Sequence, residues 1–106
     1  MKTRYLIAVI AALSVSASAF AAADGEALFK SKNCNVCHKL DSKTVGPALK
    51  AISAKYVADK EAPARLAAKV RAGGVGVWGS IAMPKAASSV SDEEIKTIVE
   101  WILTRK

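Results

Sequence analysis

The 106-residue chain contains two cysteines and one histidine, and all three fall in one pentapeptide, Cys34-Asn35-Val36-Cys37-His38. No other feature narrows the possible folds and chemistries as far. Cys-x-x-Cys-His is the attachment signature of a c-type haem: two thiols three residues apart reach vinyl groups on adjacent rings, and the following histidine lies under the iron. Three other readings compete. A disulfide oxidoreductase also uses Cys-x-x-Cys, but within a βαβ unit, and no such pattern surrounds this pentapeptide. A zinc site needs about four N, S or O ligands, and Cys34, Cys37 and His38 exhaust the Cys and His of the chain. A bare disulfide would close a ring too short to constrain the unfolded chain.

The rest of the composition asks for a large buried cofactor. Residues 1–23 hold 17 apolar residues and no acid. Lys2 and Arg4 open this segment. Leu6 to Val15 is apolar apart from Ser14, and Ser16 to Ala23 is small apart from Phe20. That is the three-part layout of a cleaved secretory signal, and its apolar run is about half the roughly 20 residues of a membrane span. An uncleaved anchor is the weaker alternative. Ala19-Phe20-Ala21 and Ala21-Ala22-Ala23 both fit the small-x-small cleavage rule, so the mature chain starts between Ala22 and Asp24. The division is therefore 1–23 signal peptide and 24–106 domain, with a periplasmic location and no membrane span in the mature form. Residues 24–106 include 38 apolar positions, but 13 are Ala and only Phe29, Tyr56, Trp78 and Trp101 are aromatic. A core of that kind in roughly 80 residues rarely supplies more than about 3–5 kcal/mol without a staple. The same numbers exclude a multidomain enzyme, a polytopic membrane protein and a disordered tail.

Periodicity predicts helices. Asp24 caps a helix over roughly Gly25 to Ser31. Pro47 stands at the first position of a second, with Leu49, Ile52 and Tyr56 on one face. Pro63 opens a third, with Leu66 and Val70 together, and Gly73-Gly74 ends it. Four glycines between Gly73 and Gly79 read as a loop. Ser91 and Glu94 form a capping box for a last helix with Ile95, Ile98, Val99, Ile102 and Leu103 as its stripe and Trp101 at the flank. No run alternates long enough to suggest a sheet. The fold class is all-α: about four helices joined by long loops wrapped around one covalently bound haem.

After the leader the chain has one methionine, Met83, in Ile81-Ala82-Met83-Pro84, 45 residues beyond His38. Most methionines only fill core. Met83, however, stands outside any helical stripe, and a planar cofactor needs a wall on each face. His/Met ligation raises the reduction potential of a haem.

Taken together, these residues resemble the small single-haem class I cytochromes c of bacteria, the short type that donates electrons to nitrite reductase or terminal oxidases. The resemblance rests on Phe29, Cys34-x-x-Cys37-His38, Val45-Gly46-Pro47-Ala48, Gly76-Val77-Trp78-Gly79, Met83-Pro84 and Trp101. It implies haem c with His38 and Met83 as axial ligands to iron. It also implies that the Pro47 carbonyl meets Nδ1 of His38, and that Trp78 donates to a haem propionate with Lys69 nearby. Gly25, Phe29 and Trp101 would lie where the first and last helices cross. Two departures stand out: Ala82 where the family often has Pro, and Lys85-Ala86-Ala87-Ser88-Ser89 where it often has an Asn for the Met sulfur. The implied function is a monomeric electron carrier rather than an enzyme, working between redox proteins such as nitrite reductase, a terminal oxidase or an upstream cytochrome complex. A peroxidase or gas sensor would need an open axial position, and a fixed subunit of a respiratory complex is the remaining alternative.

The net charge is +7, or +5 without Lys2 and Arg4. Lys30, Lys32, Lys39, Lys43, Lys50 and Lys55 cluster around the pentapeptide, while Asp92, Glu93, Glu94 and Glu100 load the last helix. Such a dipole steers an acidic docking face. No nucleic-acid motif is present, and the aromatics are needed inside.

Overall fold

The computed structural model describes residues 18–106; residues 1–17, on which most of the export-signal reading rests, lie outside the described residues. The elements run α1 (Ser18–Ser31), a 3-10 turn (Cys34–Val36), α2 (Leu49–Tyr56), α3 (Ala62–Ala72), β1 (Gly74–Gly76), β2 (Gly79–Met83) and α4 (Asp92–Ile102). No helix among the described residues is long and apolar enough to cross a membrane.

Helix α4 forms for local reasons. The Ser91 hydroxyl accepts from the Glu94 amide at 3.1 Å, and the Glu94 carboxylate accepts from the Ser91 amide at 3.0 Å. Two of the four orphan amides of the first turn are thereby satisfied. Ile95, Ile98 and Val99 are buried along one face. Helix α3 carries Pro63 in its first turn and stops at Gly73. There φ is +68°, a value that β-carbon sterics disfavour for other residues.

Two starts differ from the sequence expectation. Helix α1 runs back to Ser18, so Asp24 lies inside it rather than capping it. Helix α2 begins at Leu49, two residues beyond Pro47. Backbone does the capping there: the Leu49 amide donates to the Lys39 carbonyl at 2.8 Å and the Lys50 amide to that of Leu40 at 3.1 Å. The segment after His38 thus closes the N-terminus of α2 and leaves Pro47 outside it.

The core has two parts. Phe29, Leu49, Ile52, Ile98 and Trp101 form one, and Val90, Ile95 and Val99 the other, with Leu66 touching both. Trp101 is buried, not merely flanking, because α1 crosses α4 on top of it. The Phe29 and Trp101 ring centroids are 5.2 Å apart. At the crossing, a β-carbon placed on Gly25 would lie 2.3 Å from Cβ of Trp101, so only a glycine admits this approach.

The glycine-rich stretch is not a plain loop. β1 and β2 pair antiparallel, with Gly74 opposite Met83 and Gly76 opposite Gly79. The strands are three and five residues long and almost wholly exposed. No alternation of buried and exposed positions marks them in the sequence. The chain is therefore mainly helical with one small hairpin, and Met83 ends a strand.

Candidate functional site

The pentapeptide follows α1 without slack. Asn33 takes φ +63°, a left-handed turn that asparagine tolerates better than most residues. Cys34 to Val36 then form the 3-10 turn. The amides of Cys37 and His38 both donate to the Cys34 carbonyl, at 3.3 and 3.0 Å. Both cysteines are free thiols at intermediate exposure on this one turn. Burial pushes the Cys34 thiol above its ordinary value, against a smaller opposing effect of its backbone hydrogen bond.

His38 is held from one side. Its Nδ1 lies 2.9 Å from the Pro47 carbonyl oxygen. A carbonyl only accepts, so Nδ1 is the donor, and of the two neutral tautomers this selects the one that leaves the lone pair on Nε2. Gly46 lies against the imidazole: a β-carbon there would be 2.5 Å from Cε1 and 2.8 Å from Nδ1. Two further bonds tie this clasp to the thiol turn. The Gly46 amide reaches the Cys37 carbonyl at 2.9 Å, and the Thr44 hydroxyl reaches the same carbonyl at 2.7 Å.

Met83 is half-buried at the end of β2. Gly73 lies beneath it, where a β-carbon would come within 2.5 Å of the Met83 carbonyl oxygen and 2.6 Å of the Lys85 amide nitrogen. Trp78 occupies the hairpin turn, with the Lys55 ammonium 5.8 Å from its ring centre and 5.9 Å from that of Tyr56. Lys69 donates to the Val75 carbonyl and so braces the hairpin.

A cytochrome c family model matches residues 22–106. The chain belongs to the cytochrome c family. Cytochrome c-551 of Azotobacter vinelandii is 51% identical over 82 residues, covering 77% of this chain and 98% of that one. Cytochrome c-552 of Nitrosomonas europaea is 44% identical over 106 residues, the full length of both. The crystal structure of wild-type Nitrosomonas europaea cytochrome c552 matches with a TM-score of 0.72 and 47% identity, covering 76% of this chain and 99% of that chain. The protein is a small class I cytochrome c with a covalently bound haem c.

The residues of this cytochrome fit that group. Two cysteine sulfurs share one turn, an imidazole of fixed tautomer follows them, and among the described residues the Met83 thioether is the remaining soft donor. No group of three or more His, Cys, Asp and Glu side chains placed to hold a metal ion by themselves occurs among the described residues. Leu40 and Val45 in the segment after His38, and Val77 and Ile81 in the hairpin, are 45–70% exposed apolar side chains of the kind a porphyrin covers.

The charges are more neutralised than the sequence suggests. Lys30 pairs with Glu26 at 3.1 Å, Lys32 with Glu94 at 3.3 Å and Lys50 with Asp41 at 2.5 Å. Asp92 pairs with Arg71 at 2.9 Å. Lys39 caps the Asn35 carbonyl at 2.8 Å. Among the described residues, Lys39, Lys43 and Lys55 are the members of the lysine cluster without an ion pair, and Glu93 and Glu100 keep free carboxylates on α4. Gly46 and Thr44 were not singled out by sequence as site residues. Gly46 stood within the Val45-Gly46-Pro47-Ala48 motif of the resemblance, but its contact with the His38 ring has no sequence signature of its own.

Proposed function

We propose that this cytochrome is a periplasmic single-haem carrier in which Cys34 and Cys37 form the thioether tethers and His38 and Met83 are the axial ligands. The haem supplies one-electron exchange between ferric and ferrous iron. The observation that carries the reading is the clasp on His38. An imidazole directly after two free thiols is fixed in tautomer by Pro47 and in tilt by Gly46, so Nε2 is presented as a ligand without further rearrangement. The Pro47 hydrogen bond also raises the basicity of that ligand. Met83 stands on a short strand rather than a free loop, which restricts where its thioether can go. Trp78 and Lys55, stacked at the hairpin turn, are suited to propionate groups.

Residues 1–23 act as the export signal and 24–106 as the working domain. The partners are redox proteins with an acidic docking face, met by Lys39, Lys43 and Lys55. With both axial positions filled from the chain, the protein passes electrons on and does not turn over a substrate.

The test is Met83→Ala. The haem should stay covalently attached, because Cys34, Cys37 and His38 are untouched. The red absorption band of Met-ligated ferric haem should disappear, carbon monoxide should bind the reduced protein, and the potential should fall. Met83→His should stay six-coordinate while still lowering the potential. A wild-type protein that lacks the band and already binds carbon monoxide would make Met83 core filler and the protein an open-site haem protein.

A further inference from the structure

We infer that Arg71 is a positioning residue for Met83, strapping the segment that follows this methionine to the end of α3. The inference rests on the reading of Met83 as an axial ligand. Arg71 lies in the last turn of α3, and in the sequence it is one of many surface cations. In the structure its guanidinium gathers two carbonyls of the segment between Met83 and α4 and the first side chain of α4. Nη1 donates to the Ala87 carbonyl at 3.2 Å, Nη2 donates to the Val90 carbonyl, and Nε and Nη2 both reach the Asp92 carboxylate, at 3.1 and 2.9 Å. The rigid planar fork of arginine suits such convergence, and lysine cannot reproduce it.

Two backbone bonds belong to the same strap. The Ala86 amide donates to the Val70 carbonyl at 3.0 Å, and the Val90 amide to the Ala87 carbonyl at 2.9 Å. Only Pro84 and Lys85 separate Met83 from the first of these tethers. On its other side Met83 is held by the β1–β2 pairing. Ala86 and buried Val90 pack against the second core, but the Ala87, Ser88 and Ser89 side chains between them are exposed, so hydrogen bonds define the middle of this stretch. A stretch held in that way opens locally at lower free energy than the core does. The Asp92 pair is not the main hold, because the Asp92 side chain is 90% exposed and such pairs contribute little. The charge-assisted bonds to the two carbonyls are the stronger part.

The experiment uses the haem-loaded protein and the variants Arg71→Met, Arg71→Lys and Asp92→Asn. Amide hydrogen exchange is read at Ala86, Val90 and Ile98, and the red Met–iron band is followed on heating beside the far-ultraviolet helix signal. In Arg71→Met, exchange at Ala86 and Val90 should rise by about tenfold or more, with Ile98 unchanged. The band should be lost at a lower temperature than the helix signal. Arg71→Lys should fall between wild type and Arg71→Met, and Asp92→Asn should stay near wild type. Wild-type exchange and band behaviour in Arg71→Met would overturn the proposal. So would a band and helix signal that move down together, which would mean that Arg71 only stabilises the fold. An Asp92→Asn effect as large as that of Arg71→Met would refute the assignment to the carbonyl bonds. Absence of the band from the wild-type protein would instead remove the ligand reading on which the proposal stands.

Discussion

Gly46→Ala should disturb the histidine clasp more than any other single methyl group at the site. The added β-carbon would start 2.5 Å from Cε1 of His38, 2.8 Å from Nδ1 and 3.0 Å from Nε2. Carbon atoms rest comfortably at about 3.5–4.0 Å, so the ring or the 46–47 backbone must retreat by about 1 Å. The Gly46 backbone is itself bonded to the Cys37 carbonyl at 2.9 Å and cannot yield freely. A retreat of that size takes the 2.9 Å bond from Nδ1 to Pro47 outside hydrogen-bonding range. Losing it costs about 1 kcal/mol, and overpacking adds about 1–3 kcal/mol. The stiffer unfolded chain returns about 0.4–1 kcal/mol. The expected net loss is about 1–3 kcal/mol, which urea unfolding of the haem-loaded protein reads as a lower midpoint at unchanged slope. The reduction potential should rise, because an imidazole without its Nδ1 partner donates less to ferric iron. Pro47→Ala is the control: it keeps the carbonyl, so the potential should hold. A Gly46→Ala protein with both midpoint and potential of the wild type would refute the clasp.

Three further outcomes follow from other contacts. Gly25→Ala should lower stability by about 1–3 kcal/mol despite the better helix propensity of Ala, because the clash is with Cβ of Trp101 and with backbone; a raised thermal midpoint would show that the helices separate freely. Glu94 is held below the ordinary carboxylate range by the Ser91 amide first and Lys32 second. A lowered carboxyl stabilises the fold above its unfolded value, and that contribution is lost as pH falls below about 4.5. Glu94→Gln should therefore flatten the acid limb of a stability–pH curve, and an unchanged limb would count against the box and its Lys32 partner. Lys39→Glu and Lys43→Glu should each slow electron transfer to an acidic partner more than Lys32→Glu, with the difference shrinking as salt rises past about 0.1 M; equal effects of all three would mean that ion pairing leaves the field unaltered.

What could be read in the sequence was either local or carried by the pentapeptide. Ser91 and Glu94 are three residues apart, so their capping box follows from the chain itself. The same holds for Pro63 early in α3 and Gly73 at its end. The Cys34–His38 spacing pointed to the cofactor, and the family resemblance pointed to the Pro47 carbonyl. Features decided by distant partners were not legible. Lys32 and Glu94 lie 62 positions apart, so the sequence showed two opposed patches where the structure has an ion pair. The hairpin escaped notice because strands this short and exposed have no pattern of burial. Asp24 suits a cap by residue type, and it lies inside α1 only while residues 18–23 of the export segment are attached. Arg71 shows the same limit, since its carbonyl partners become visible only when α3 is laid beside the segment before α4.

Gly25 and Trp101 touch across 76 positions of chain, and every residue of the site lies between them. The crossing therefore closes a ring through which the site is threaded, and the two halves of that arrangement tolerate change very differently. Closure entropy grows only with the logarithm of ring length. A dozen residues spliced in at exposed Lys60 would raise it by only ~0.1–0.2 kcal/mol. One methyl group at the Gly25 junction costs several times more. The intervening chain can thus be lengthened, shortened or re-routed around a different docking face while the seam stays fixed, and the seam can hardly change at all.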